Sequence, residues 1–385
     1  MTIMTEGPGA EAPQHPAGGT AQQHPADGTA QQHPAAPKPG DTADHPKTSL
    51  TKTNNGRDKI HWTKDVWDRI DRAVHDEMMR TRVAQKFLPI RPVIPHTTAV
   101  PFDSIAPPDV NSPAFSVDEG ATTRLNEYWV EFSLTPQQVD HETGDLLQFG
   151  HSTAATLATH AANILAQAED LVIFQGANAI AEALFSPPGN GAAPPPTVLN
   201  RGAPLDTGLL DLPPLAGAPG SPAQLLPLVQ AVPVRLLDAG TPGVYGSNTF
   251  GAVARAYAEL QGAGQYGPYA LVLQTTPYAD TYAPVVGGTL VITADRIHPL
   301  MTAGFYGAGT LPQDTPATSL DGGANASFVG VLVSLGGNTM DLVVGLDATT
   351  AFMQQDPNGN YRFRVVERFA LRLKDTTGVI RLEFE

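Results

Sequence analysis

The sequence has no cysteine in its 385 residues, which excludes disulfide bonds, thiol nucleophiles and cysteine-ligated zinc. Basic residues are also scarce: 23 Lys and Arg stand against 38 Asp and Glu, so the formal net charge is −15. Because nucleic-acid binding relies on Lys and Arg that neutralise phosphates, this charge disfavours a protein that sequesters DNA or RNA. Runs of about 18 apolar residues are missing too, so we expect no membrane-spanning helix.

Targeting segments and catalytic motifs are also missing. The first ten residues, MTIMTEGPGA, have neither the basic nor the apolar region of a signal peptide, so we expect a cytoplasmic protein. There is no phosphate-binding loop, dinucleotide fingerprint, H-E-x-x-H or G-x-S-x-G motif. Histidines after the N-terminal region are scattered without the spacing of metal ligands. We therefore predict no catalytic residue, cofactor site or metal site, and a soluble enzyme such as a protease is only a minor alternative.

The first 57 residues differ in composition from the rest of the chain. They contain the repeat QHPAGGTAQ QHPADGTAQ QHPA, which spaces His15, His24 and His33 evenly. Large apolar side chains that could offset the entropy lost on ordering are almost absent, so we predict that residues 1–57 are disordered. The histidines fit two interpretations: weak metal- or pH-dependent binding, or a solvated tail whose repeat arose by slippage.

Periodic patterns after this tail predict a helix and two long strands. Apolar residues recur at helical spacing from Trp67 to Met78, and Pro89 is expected to end this helix. Alternation in RLNEYWVEFSLTP and YRFRVVERFALRL predicts strands with one buried face. The apolar faces are Tyr128, Val130, Phe132 and Leu134 in the first and Tyr361, Phe363, Val365, Phe369 and Leu371 in the second.

Other segments give shorter predictions. The alanine-rich stretch from Pro136 to about Gln175 predicts one long helix, and GSNTFGAVARAYAELQGAG predicts a second, capped by Ser247 or Asn248. GPYALVLQT, GGTLVITADRI and GVIRLEFE predict strands, and FVGVLVSLGGNTMDLVVGLDATTAFM predicts two strands joined by a Gly-Gly-Asn turn. Residues 186–222 and 303–328, rich in Gly, Pro and small residues, predict irregular connections.

Two groups of charged residues were considered as sites. Glu169 and Asp170 are adjacent near the end of the long helix, where consecutive side chains point about 100° apart, so they do not form a catalytic dyad by themselves. The strand YRFRVVERFALRL has an arginine face: Arg362, Arg364, Arg368 and Arg372. These arginines could hold phosphate, pair with carboxylates of a neighbouring chain or lie in water, and in so acidic a chain we favour pairing with carboxylates.

Several segments, in order, resemble the encapsulin shell proteins of the linocin-like family, which share the capsid fold of the tailed phage Hong Kong 97. They include WDRIDRAVHDEMMRTRVAQKF, EFSLTPQQVD, AEDLVIFQGAN, GPYALVL, GGTLVITADRI, VLVSLGGNTMDLVVGLDATTAF and YRFRVVERFALRLKDTTGVIRLEF. A G-x-D element is present as Gly345 and Asp347. The resemblance extends over most of residues 60–185 and 245–385.

The resemblance implies an α+β fold of the Hong Kong 97 capsid type, divided into five regions. They are a disordered N-terminal extension at 1–57, an N-terminal arm helix at 58–92, an extended loop (E-loop) at 93–135, a peripheral (P) domain with a spine helix at 136–222 and 329–385, and an axial (A) domain at 223–328.

The resemblance also implies a non-enzymatic shell protein. Copies would assemble into an icosahedral nanocompartment in the cytoplasm, around a ferritin-like iron oxidiser, with a link to iron storage, or a dye-decolorising peroxidase. Cargo would dock through a short C-terminal targeting peptide at Met78, Phe87 and Leu88, while Glu169, Asp170, Arg362 and Arg364 would lie between subunits. No cofactor is implied, because Gln137 stands where some members carry a flavin-stacking Trp. The close alternative is a phage or prophage major capsid protein.

Overall fold

The computed structural model describes residues 55–106, 114, 116–118, 120–186, 197–202, 208–210, 230–237, 244–284, 291–314 and 327–384. Its helices are α1 Lys64–Thr81, α2 Pro136–Phe149, α3 Thr153–Gln175, α4 Ser247–Gly262, α5 Thr275–Asp280 and α6 Thr293–Ile297. Its strands are β1 Ile90–Pro92, β2 Ala99–Pro101, β3 Ser104–Ala106, β4 Ser116–Asp118, β5 Thr122–Arg124, β6 Asn126–Leu134, β7 Leu199–Arg201, β8 Gln230–Val234, β9 Tyr269–Gln274, β10 Gly304–Ala308, β11 Gln313–Asp314, β12 Ser327–Ser334, β13 Met340–Gln355, β14 Tyr361–Leu373 and β15 Val379–Phe384.

Two mixed sheets organise these strands. The first has the order β1-β13-β14-β6-β7, and the second has the order β10-β9-β12-β15-β8 with β11 paired to β12. Strands β2 and β5, and strands β3 and β4, form separate antiparallel pairs. Helices and sheets therefore combine in one chain, as the predicted α+β class requires.

Helices α1 and α3 cover the five-stranded sheet. The predicted stripe on α1, from Trp67 to Met78, is buried in a core shared with Leu165 of α3 and Phe363 of β14. Alanines dominate the buried positions of α3, which lets its backbone approach α1 and the sheet closely. The predicted stripe of α1 and the strands β6 and β14 are confirmed, but β14 is buried on both faces from Val365 onwards, apart from the half-buried Arg368, rather than on one.

A second core lies between the six-stranded sheet, α4 and α6. Alternate residues of β9 face opposite sides of this sheet: Leu271 and Leu273 join the second core, whereas Ala270 and Val272 join the first. Every residue of β9 is consequently buried, which explains why the segment YALVLQ is apolar without alternation.

Two helix predictions were wrong in detail. The long helix expected from Pro136 to Gln175 is interrupted between α2 and α3, where Gly150 has a positive φ of 64°. Ser152 then caps α3, because its side chain accepts a hydrogen bond from the Ala155 N–H at 2.9 Å. Helix α4 has Gly246 as its N-cap, rather than the expected Ser247 or Asn248.

The strand predictions also need corrections. In GGTLVITADRI the described part from Thr293 to Ile297 is the helix α6, and residues 287–290 lie outside the described residues. Strands β10 and β11 occupy part of 303–328, which was expected to be irregular, and β7 lies within 186–222. The Gly-Gly-Asn segment joins β12 to β13 as expected, but these strands belong to different sheets and do not pair.

The predicted region boundaries stay predictions, with two observations bearing on them. Asn55–Arg57, at the end of the extension predicted to be disordered, already contact the fold: the Asn55 carbonyl accepts a hydrogen bond from the Phe352 N–H at 2.9 Å. Residues 1–54 lie outside the described residues. Strands β12 and β15 lie almost wholly within 329–385, which was assigned to the peripheral domain. Because they pair with β9 and β8, we propose that they belong with the axial domain instead.

Candidate functional site

The turn after α1 is bound to the C-terminal part of α3 by one carboxylate. Asp170 accepts hydrogen bonds from the backbone N–H groups of Val83 and Ala84, both at 2.9 Å. These donors lie at the start of a short 3₁₀ turn, Ala84–Lys86, where backbone N–H groups lack partners within the helix. Asp170 is buried, so it fixes the end of the arm against α3.

Arg82, in the same turn, is the centre of a buried ionic cluster. Its guanidinium pairs with Glu169 of α3, with Glu367 of β14 at 2.6 Å, and with Asp347 of β13 at 3.1 Å. Gln85 adds a hydrogen bond, donated by Nε2 to Glu169 at 2.6 Å. Only 3% of the Arg82 side chain is exposed, so these contacts replace almost all of its hydration. The cluster ties the arm, α3 and two strands together.

The two strand carboxylates reach Arg82 by different routes. Glu367 lies on the apolar face of β14, between Val365 and Phe369, and therefore points into the core towards Arg82. Asp347 follows Gly345, where the pairing of β13 with β14 is irregular. A Cβ at Gly345 would lie 2.6 Å from a Leu125 methyl carbon, so a larger residue would not fit there without a shift. The irregular pairing changes the direction in which the following side chains of β13 point, and Asp347 consequently lies at the edge of the cluster.

Carboxylates outnumber cations in this cluster. One arginine faces Glu169, Glu367 and Asp347, and Asp170 lies beside Glu169. Burial raises the pKa of Glu169, and it raises the pKa of Glu367 well above its usual range, with repulsion from Glu169 adding to the effect. Burial likewise raises the pKa of Asp170 to about 7, against the lowering effect of its backbone hydrogen bonds. We call the set Arg82, Glu169, Asp170, Asp347 and Glu367 the junction. Its buried acids keep their protons to a higher pH than exposed acids do.

Comparison with known protein families identifies the family of this chain. A family model described as "Encapsulating protein for peroxidase" matches residues 52–190 and 237–370, well over half of the chain. The chain belongs to this family, the encapsulins. Its members are structural shell proteins, and the capsid-type fold expected in the sequence analysis comes with this membership.

Individual relatives are more distant. A type 1 encapsulin shell protein of Myxococcus xanthus, EncA, is 30% identical over 134 residues, which is 35% of this chain and 41% of that protein. Among solved structures, a virus-like particle from Pyrococcus furiosus is 14% identical, with a TM-score of 0.49 over 82% of this chain and 98% of that one. The capsid of the Myoviridae phage XM1 is 12% identical, with a TM-score of 0.46 over 78% and 90% of the two chains.

The cargo-docking residues predicted for this encapsulin-family chain are all buried. Met78 is 1% exposed, Leu88 is 3% exposed and Phe87 is 7% exposed, and the Phe87 ring stacks on Tyr306. They belong to the core shared by α1, α3 and the five-stranded sheet. Their role in cargo docking stays a prediction, but each side chain offers little surface to a second protein.

The four predicted inter-subunit residues all have partners within their own chain. Glu169 and Asp170 are engaged in the junction described above. On the arginine face of β14, Arg362 pairs with Glu131, and Arg364 pairs with Glu127 at 3.1 Å. Both acids come from the neighbouring strand β6. The inter-subunit role stays a prediction, whereas the preference of this face for carboxylates is evident within the sheet.

The last arginine of this face is more deeply buried than the sequence suggested. Arg372 is only 1% exposed and forms a two-point contact with Asp341, at 2.7 and 2.6 Å. It also donates to Asp103 at 2.7 Å and to the Pro101 carbonyl at 2.7 Å. This arginine attaches the start of the predicted E-loop to the five-stranded sheet.

Two further features are absent from the part of the chain that the structure describes. There, no three His, Asp or Glu residues lie together in a way that could hold a metal ion. None of the helices in this part is both long and apolar enough to cross a membrane.

The raised pKa of Asp170 predicts a pH dependence of stability. An unfolded aspartate has a pKa of about 3.9. Between about pH 4 and pH 7, the folded chain therefore holds a proton at Asp170 that the unfolded chain has already released. This contribution is complete below pH 4 and is lost as the pH rises to 7, with a slope of up to about 1.4 kcal/mol per pH unit. We expect Asp170→Asn to flatten that slope when urea unfolding is measured from pH 4 to 8.

The matched control for this measurement is Asp65→Asn, because Asp65 is an exposed acid in the first turn of α1. It should leave the slope as in the unmodified chain. Equal slopes in the unmodified chain and Asp170→Asn would contradict the assignment of a bound proton to Asp170.

Proposed function

We propose that copies of this chain assemble in the cytoplasm into a closed icosahedral shell that encloses a cargo enzyme. The observation that carries the proposal is the family match over residues 52–190 and 237–370. The junction chemistry supports a structural role, because its carboxylates are engaged by one buried arginine and by backbone N–H groups. Glu169, Asp170 and Glu367 are buried and offer no surface to a substrate, whereas Asp347, at the edge of the cluster, is 57% exposed.

The test of assembly is the mass of the purified protein. Light scattering at micromolar concentration should give megadalton particles, with an absorbance ratio typical of protein alone and closed shells in electron micrographs. A monomer or dimer under these conditions would contradict the proposal. Abundant nuclease-protected DNA in the particles would favour the phage capsid alternative, against which the net charge of −15 argues.

We further propose that the cargo is a ferritin-like iron oxidiser or a peroxidase, bound through a short C-terminal peptide. Since Met78, Phe87 and Leu88 are buried, the exposed apolar residues of the arm are better candidates for the docking surface. Met79 is 55% exposed on α1, and Ile90 and Ile94 are 50% and 68% exposed at and after β1. Contiguous exposed apolar patches commonly mark interaction surfaces, and we propose that these residues form such a patch.

Cargo loading can be tested with a fluorescent protein fused to the C-terminal segment of a ferritin-like or peroxidase enzyme encoded beside this chain. Met79→Ser combined with Ile90→Ser should reduce the fluorescence that co-purifies with the particles without changing their size. Leu237→Ser, which removes another exposed apolar side chain far along the sequence, serves as the control. Unchanged loading in the double variant would exclude this surface.

Arg364→Glu tests the predicted inter-subunit role of the arginine face. The change removes the pair with Glu127 and adds a third acid beside Glu127 and Glu131. Because Arg364 is partly exposed, we expect a loss of subunit stability of only about 0–1 kcal/mol. Assembly should weaken more, and most at low salt, where repulsion is least screened. The measurements are circular dichroism and native mass, and an intact shell with unchanged salt tolerance would rule out the role.

Two truncations distinguish the contribution of the tail to assembly from the contribution of Arg57 to stability. A chain starting at Asn54 should still form shells of similar diameter, since the tail lacks apolar residues for packing. A chain starting at Asp58 also loses Arg57, which contacts Asp71 at 2.8 and 2.6 Å and the Thr350 carbonyl at 2.7 Å. We expect it to melt at a lower temperature. Loss of particles on electron micrographs in the first truncation would show that the tail is a scaffold.

A further inference from the structure

A groove of about 380 Å³ lies between strand β8 and helix α4, within the six-stranded half of the fold. Its lining residues come from the end of β8 and from one face of α4: Pro233, Arg235, Asn248, Gly251, Ala252 and Arg255. We call it the β8–α4 groove. Its volume lies in the range of small-molecule sites, which is about 300–1,000 Å³.

The β8–α4 groove carries two positive charges that the described part of the chain does not neutralise. Arg235 and Arg255 are exposed, and neither forms an ion pair among the described residues. In contrast, the arginines of β14 pair with acids of β6 or β13. Among the described residues that line the groove, none is acidic. Two guanidinium groups therefore share one concave surface in a chain with a net charge of −15.

Local hydrogen bonds hold the two walls of the groove together. The Asn248 side chain donates to the carbonyl oxygens of Arg235 at 3.1 Å and Leu236 at 3.3 Å, which fixes the end of β8 on α4. The N–H groups of Tyr245 and Gly246 donate to Asp280. The carboxylate of Asp280 therefore already lies at the turn before α4, and the groups of the groove that attract an anion are the two guanidinium groups.

Strand β8 is poorly suited to pairing with an added strand. It is the outer strand of the six-stranded sheet among the described residues, with β15 as its neighbour. Pro233, in its middle, has no N–H to donate, and proline on an outer strand discourages further pairing. Side chains, rather than backbone groups, are therefore the recognition elements of this groove.

We propose that the β8–α4 groove binds a small ligand that carries two or more phosphate groups. Each guanidinium presents a planar fork of N–H donors that matches two oxygens of a phosphate. A single carboxylate would leave most of the 380 Å³ empty, whereas a chain of phosphates can contact both arginines. Repulsion from the acidic remainder of the chain is screened beyond about 8 Å at physiological ionic strength.

The first test is titration calorimetry of the assembled particles with inorganic tripolyphosphate. We expect saturable binding that weakens as sodium chloride is added. Arg235→Gln and Arg255→Gln should each weaken the affinity by about tenfold or more, because each removes charged hydrogen bonds. Arg72→Gln, at an exposed arginine of α1, is the control and should bind as the unmodified particle does.

The second test uses Gly251, which lies inside α4 on the groove wall. A Cβ built there meets no atom within 4 Å, and glycine is a poor helix former, so larger residues should be tolerated. Gly251→Glu places a carboxylate between the arginines and should abolish tripolyphosphate binding. Gly251→Gln has the same size without the charge and should retain more of the binding than Gly251→Glu.

The outcomes separate the possible ligands. Equal affinity for tripolyphosphate and adenosine triphosphate would support recognition of the phosphate chain alone, and tighter binding of the nucleotide would support the same site with a base contact. No saturable binding of either compound would overturn the proposal. So would variants of Arg235 and Arg255 that change particle assembly but leave binding unaltered, since the arginines would then contact a neighbouring copy.

Discussion

Replacing Arg82 with methionine is expected to lower the free energy of unfolding by about 3–5 kcal/mol, which would be among the largest effects of any single substitution in this chain. The change leaves Glu169 and Glu367, both almost completely buried, without the cation that pairs with them. The loss should be greater at pH 8 than at pH 5, because the raised pKa values of these carboxyls let protons replace part of the missing charge at the lower pH. Urea unfolding at the two pH values measures both effects.

Arg80→Met is the matched control for Arg82→Met. Arg80 also pairs with an acid, Glu77, but its side chain is 69% exposed, so we expect a change of no more than about 1 kcal/mol. Combining Arg82→Met with Glu169→Gln and Glu367→Gln should restore part of the lost stability, since positions 169 and 367 then carry no charge that needs a cation. Similar losses for Arg80→Met and Arg82→Met would show that the ionic cluster does not hold the junction.

Phe363→Ala is expected to cost about 3–5 kcal/mol through the cavity it leaves in the first core. The Phe363 ring is fully buried and stacks on Trp62 at a centroid distance of 5.2 Å and on Phe132 at 5.4 Å. It also contacts Trp67 of α1, so the loss loosens the arm as well as the sheet. Because a domain's whole stability is about 5–15 kcal/mol, thermal unfolding should shift visibly.

The neighbouring residue of the same strand provides the control for Phe363→Ala. Arg362 points to the opposite face and is 42% exposed, so Arg362→Ala should change stability by no more than about 1 kcal/mol. An unchanged melting temperature in Phe363→Ala, together with a large drop in Arg362→Ala, would mean that the two faces of β14 are reversed.

Elements whose burial follows a simple period were predictable from the sequence. The stripe on α1 and the alternation in β6 and β14 depend on neighbours along the chain, and the structure buries the expected faces. Short elements were harder to predict. VITADRI is rich in β-branched residues, yet Thr293–Ile297 is helical because Ala294 and Ile297 pack against α4 in the second core. Tertiary contacts outweighed local propensity there.

The junction could not be predicted, because its members are far apart in the sequence. Positions 82, 169, 347 and 367 meet only after two helices and two strands have packed together. One signal was present: Glu367 falls on the apolar face of YRFRVVERFALRL, between Val365 and Phe369. An acid at such a position requires a buried partner, so the pattern indicated that a cation or a hydrogen-bond donor would lie opposite, without indicating which residue supplies it.

The pairing of β8 with β15 delays the completion of the six-stranded sheet during the synthesis of each copy. Ile380 pairs with Gln230, 150 positions earlier, so β8 has to wait for its neighbour while the intervening residues are translated. At about 5–20 residues per second, that delay is roughly 7–30 s. When β8 is made, the nascent chain already contains α1, β6 and α3, whereas β13, β14 and β15 are still to be translated. The six-stranded sheet of a copy is therefore complete only after its last strand has been made, so a copy cannot offer this sheet to the proposed assembly until its translation is almost finished.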